Sequence, residues 1–186
     1  MKSGSDSSDD LICSSGGSFY NGEFRVWITV KLTFTNRSNI NRRITLPEGL
    51  VFQVVEKGYQ NGMLLKRVIF YVKAHSKRTV SVIAACLNRG RDGSNEDLHY
   101  TIPGVTGSKE VWEKLLKSLD GRKVNIENFI VPPSAQSLKT ANAEGLDKYM
   151  EIADHLQKMV WTLTNDGKDL SQDQKEYLES IPLLDK

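Results

Sequence analysis

One stretch, EFRVWITVKLTFT at 23–35, restricts the fold more than any other. Phe24, Val26, Ile28, Val30, Leu32 and Phe34 alternate with Arg25, Trp27, Thr29, Lys31, Thr33 and Thr35. Successive side chains of an extended chain point to opposite faces, whereas a helix brings together residues three or four apart. A strict period of two, rich in β-branched and aromatic residues, therefore predicts a half-buried strand. The next stretches read the same way. Short strands are expected at 43–46 and 50–55, on either side of Pro47-Glu48-Gly49, and longer ones at 63–73 and 78–86. In the last, Val80, Val82, Ala84 and Cys86 share a face, which points Cys86 into the core. Strands joined by short turns, with no helix between them, predict an antiparallel sandwich or barrel.

The pattern changes after Asp92. A polar loop with an extended piece at 98–102 leads to Ser108, which can cap a helix carrying Val111, Trp112, Leu115, Leu116 and Leu119 and stopped by Gly121. A short strand is expected at 124–131 and a linker from Pro132. A long helix follows over 143–164, with Leu146, Tyr149, Met150, Ala153, Leu156, Gln157, Val160 and Trp161 in one stripe. Ser171 and Gln174 form a capping-box pattern for a last helix at 172–180. The expected class is α+β. An antiparallel β-sandwich of immunoglobulin-like type at 19–105 carries helices at 108–186, packed on it as one unit. Residues 1–18, rich in Ser, Gly and Asp, read as a disordered leader.

Charge divides the chain along the same line. From Arg25 to Arg91 there are 13 Lys or Arg and two acids, Glu48 and Glu56, whereas from Asp92 onward there are 11 basic and 17 acidic residues. Such halves suggest either an anionic partner for the first or docking of the second onto it. Arg25, Lys31, Arg42, Arg43, Arg89 and Arg91 are the candidate polyanion contacts, with Trp27, Tyr59 or Tyr71 as stacking groups. No nucleic-acid motif accompanies them, so nucleic acid is disfavoured. No apolar run approaches the ~20 residues of a membrane span, and no apolar signal-peptide core is visible.

The chemistry-bearing residues are few. Cys13 lies in the leader, so a disulfide to Cys86 is not expected, and two cysteines with three histidines offer no zinc spacing. No metal and no cofactor is expected. The acids after Arg91 miss the calcium-loop spacing, as does NDGKDLSQDQ, and LPEG at 46–49 is a turn. Cys86 with His99 and an acid makes a weak hydrolase candidate. The pair of greater interest is Cys86 and Gln157. Gln157 occupies an apolar stripe where Leu or Ala is expected, and a buried amide must find partners or lose about 1–3 kcal/mol. A hydrogen bond is one solution. Condensation of the Cys thiol with the Gln amide, losing ammonia and leaving an internal thioester, is another.

ACLN at 85–88 and HLQKMVWTLTNDG at 155–167 resemble the bacterial surface thioester domains. Those carry a Cys among hydrophobic residues and, later, a helix reading hydrophobic-Gln-x-x-hydrophobic-Trp. The resemblance implies Cys86 as acyl carrier and Gln157 as acyl donor, supported by Leu87, Val160 and Trp161. The stretches 36–52 and 59–88 are similar to uncharacterised bacterial extracytoplasmic β-sandwich proteins. The leading expectation is a non-enzymatic extracytoplasmic surface module, secreted or anchored, that meets a protein or glycan partner. A thioester adhesin and a basic polyanion-binding module are the alternatives.

Overall fold

The structure, a computed structural model, describes residues 11–18, 27–95, 97–129 and 139–185. Its strands are β1 (Leu11–Ser18), β2 (Trp27–Asn36), β3 (Arg42–Leu46), β4 (Leu50–Val54), β5 (Gly62–Met63), β6 (Val68–Val72), β7 (Ser76–Cys86) and β8 (Tyr100–Val105). Six of them form an antiparallel sheet in the order β1-β2-β7-β5-β4-β8, and β3 pairs with β6 in a second, two-stranded sheet. β1 and β8, the two ends of the large sheet, approach each other, so the sheet is curled. The helical part starts with α1 (Lys109–Val111), which runs on through a π turn at Trp112–Leu116 and a 3-10 turn at Lys117–Leu119. It continues with α2 (Lys139–Thr164) and α3 (Gln172–Ser180). The class is α+β.

Three expectations are corrected. Residues 11–18, read as leader, pair with β2 in register from Leu11–Asn36 to Ser18–Thr29. Gly and Ser hide strand propensity, and the neighbouring strand supplies the bonds that composition does not advertise. The strand expected at 63–73 is two strands in two sheets. Leu64 and Leu65 between them are buried on opposite sides, and the chain crosses there from the large sheet to the small one. The described part of 124–131 holds a 3-10 turn at Ile126–Asn128 instead of a strand. Asn125 and Asn128 bond each other's backbone, offering the chain a local alternative to a ladder. Gly121, with φ of 70°, ends the first helical segment where the sequence reading puts its stop.

Two cores lie on the two faces of the same strands. One gathers Ile28, Val30, Leu32 and Phe34 of β2 with Phe52 of β4, Phe70 and Val72 of β6, and Val82, Ala84 and Cys86 of β7. The other gathers Leu115 and Leu119 with Ile152, Leu156, Met159 and Val160 of α2, and takes Met63, Leu65 and Ala85 from the β side. Alternation in β7 thus feeds both: Ala84 and Cys86 face the strands, Ala85 faces the helices. Trp27 of β2, on the helix side, donates from its indole to the Ala153 carbonyl of α2 at 3.1 Å. Gly62, opposite Cys86, has no room for a side chain. A Cβ there falls 2.5 Å from Ile28 Cδ1 and 2.9 Å from Ala84 Cβ.

Candidate functional site

β7 ends against the middle of α2. In an antiparallel ladder, the N–H and C=O of one residue point to the same side and those of the next residue point to the other. The Leu87 N–H bonds the Asn61 carbonyl beside β5 at 2.9 Å, so the peptide groups of Cys86 face the other way. Gln157 meets them there. Its Oε1 accepts from the Cys86 N–H at 2.7 Å, and its Nε2 donates to the Cys86 carbonyl at 2.7 Å. The side chain of Gln157 is 1% exposed, so both halves of the amide are satisfied out of water. A helix side chain imitates the edge of a strand.

Two turns later, Asn165 repeats the device. Its Nδ2 donates to the Leu87 carbonyl at 2.7 Å and its Oδ1 accepts from the Arg89 N–H at 3.0 Å. Gln60 does the same from the loop before β5, accepting from the Asn88 N–H at 3.1 Å and donating to the Arg91 carbonyl at 2.8 Å. Residues 86–91 are therefore fastened by three carboxamides. Arg89 adds a two-pronged ion pair to Asp166, at 2.9 and 3.3 Å, and its guanidinium lies 5.4 Å over the Trp161 ring. Sequence reasoning singled out Gln157 but missed Asn165 and Gln60. They lie in turns without periodicity, and Asn165 reads there only as a helix stop.

The Cys86 thiol faces the strand core beside Tyr100, and burial pushes its pKa up from 9.0 to about 12. At neutral pH it is the protonated thiol, a poor nucleophile. Cys13 and Cys86 are not joined by a disulfide. His99 points outward, one residue before the inward-facing Tyr100. It is held by Glu56, which accepts from the His99 backbone N–H at 3.0 Å and contacts its Nδ1 at 2.8 Å. These hydrogen bonds keep the Glu56 carboxyl below its ordinary range. Alternation thus sends His99 and Cys86 to opposite sides. Among the described residues no three His, Cys, Asp or Glu side chains gather as a metal site.

The candidate polyanion residues are spread out. Arg25 lies outside the described residues. Lys31 is on the helix-side face of β2, opposite Ser81, whereas Arg42 and Arg43 belong to β3 in the other sheet. Arg89 is committed to Asp166, and Arg91 reaches the Tyr59 carbonyl at 3.4 Å. Part of the basic half thus serves the acidic half directly. Lys66 also donates to the Leu119 carbonyl at 2.9 Å, at the end of a helical segment. No helix among the described residues is long and apolar enough to cross a membrane. No protein-family model, curated protein or solved structure matches the chain.

Proposed function

We propose that this chain is a non-enzymatic interaction module of an extracytoplasmic surface. Its strand part is a two-layered β-sandwich, immunoglobulin-like in that two antiparallel sheets face one core. The layers are supported by the shared burial of Ile28 and Leu32 from one sheet with Phe70 and Val72 from the other. The extracytoplasmic placement rests on the resemblance of the strand sequences. One observation carries the non-enzymatic reading: both polar atoms of Gln157 bond the backbone of Cys86, and the thiol itself is turned into the strand core. That arrangement makes the pair a structural fastening. The test is intact mass without reductant, together with alkylation of the native protein. The sequence mass, with Cys86 unreactive until denaturation, supports this reading.

A second reading is favoured by the same closeness. In a thioester domain the Cys86 sulfur attacks the Gln157 Cδ, the C–N bond breaks, and the thiol proton leaves with the amide nitrogen as ammonia. The acyl group then passes to an amine on a partner and returns the thiol. A mass one ammonia below the sequence value, rising by one methylamine on treatment with that amine, establishes this reading and removes the first.

A further inference from the structure

The outward face of the small sheet combines exposed apolar and basic side chains. β3 sends Arg43 and Thr45 outward, and β6 sends Ile69 and Tyr71. The register pairs Arg43 with Tyr71 and Thr45 with Ile69, so the four make one continuous patch. Ile69 is 45% exposed and Tyr71 57%, while their neighbours Phe70 and Val72 are buried. Lys73 continues the outward row by the same alternation. The two strands of this sheet and the turns beside them, 37–46 and 68–75, contain four Lys or Arg and no Asp or Glu. All four but Arg42 are exposed. The two acids of the β half sit outside these stretches, Glu48 held by Arg67 and Glu56 by His99.

The chemistry of the patch selects its occupant. Tyr and Arg are enriched where proteins meet proteins, and an exposed aromatic beside an aliphatic residue offers area that a purely ionic ligand leaves unused. A sulfated glycan satisfies Arg43 and Lys73 but gains little from Ile69. The main chain at the end of β6 is already engaged: Arg78 donates to the Tyr71 carbonyl at 2.8 Å, and Asn36 donates to the Val72 carbonyl at 3.2 Å. The side chains of the face are therefore what is offered there. We infer that the β3–β6 face binds an acidic protein segment that also carries apolar side chains. Tyr71 and Ile69 receive the apolar groups, and Arg43 and Lys73 receive the carboxylates. This rests on the interaction-module reading and gives that module its partner chemistry.

The probes are a random glutamate–tyrosine copolymer, polyglutamate of equal length and a heparin fragment, each tested by fluorescence anisotropy against the whole chain at low salt. The copolymer binds most tightly. Tyr71→Ala and Arg43→Glu each weaken it by about tenfold or more, the loss of one interface anchor. Thermal melts of both variants match the parent, because both side chains are exposed. Equal binding of all three probes, or heparin binding that ignores Tyr71→Ala, overturns the inference in favour of a polyanion surface. Concentration-dependent self-association lost with Tyr71→Ala overturns it in favour of a second copy of the chain. Copolymer binding moved by Lys31→Glu and not by Arg43→Glu retains the module and discards this face. No copolymer binding removes the acidic partner. An intact mass one ammonia low overturns the underlying reading instead.

Discussion

The two cores on either side of β7 are closed in different ways. On the strand side the sheets meet through aliphatic and aromatic side chains, and the ladders satisfy the backbone. On the helix side α2 crosses the end of a strand, where two backbone groups of Cys86 face a helix that has no ladder to offer. Burying an amide group without a partner costs several times what one more methyl contributes. An all-apolar α2 is therefore not the best cover for this strand, and Gln157 supplies a two-point substitute. A helix on a sheet face needs only shape, whereas a helix over a strand end needs polar valence as well.

The largest test of this contrast is Phe52→Ala in the strand core, where the ring is fully buried. A loss of about 3–5 kcal/mol is expected by chemical denaturation. Because Ala84 and Ala85 tie the two cores through adjacent residues, far-UV dichroism and Trp fluorescence lose structure in one transition. Two separated transitions break the idea of a shared wall. Gln157→Leu comes next. It keeps volume and leaves the Cys86 N–H and carbonyl buried without their present partner, for about 2–3 kcal/mol. A variant of undiminished stability removes the structural role assigned to the amide. Gly62→Ala is expected to cost about 1–3 kcal/mol, because its new methyl must displace Ile28 and Ala84. The smallest is Arg89→Ala, under about 1 kcal/mol, since its ion pair with Asp166 is largely solvated.

Alkaline titration adds a check on Cys86. Its folded pKa stands above the unfolded one, so the thiol's contribution is complete below pH 9 and declines as pH rises from 9.0 towards about 12. Comparing the parent with Cys86→Ala in urea melts at stepped pH isolates the effect. The parent loses stability across that window and the alanine variant lacks this component. Equal curves for the two place the thiol in water.

Much of the architecture is legible in the residues, for reasons that differ by element. β2 and β7 are readable because alternation is a local consequence of pleating, and α3 because Ser171 and Gln174 complete a capping box with each other. β1 is hidden, since LICSSGGS owes its strand to the pairing with β2 and not to its own preference. The break at Leu64–Arg67 is hidden for another reason. Met63, Leu64 and Leu65 still alternate between two buried sides on the way into it, and one sequence cannot show that those sides belong to different layers. Within the site, Gln157 stands out as a polar residue in an apolar stripe. Its partners do not, because backbone groups carry no sequence signature.

That last property bears on how residue 86 can vary. The hydrogen bonds from Gln157 go to main-chain atoms that every amino acid except proline offers in full. The side chain at 86 answers to the strand core alone. In a set of related chains, a structural fastening lets position 86 drift among small residues such as Ala, Ser and Val while the amide at 157 stays. A thioester makes the two positions change together or not at all. The pattern of substitution at a single pair of columns thus separates the two chemistries without a protein in the tube.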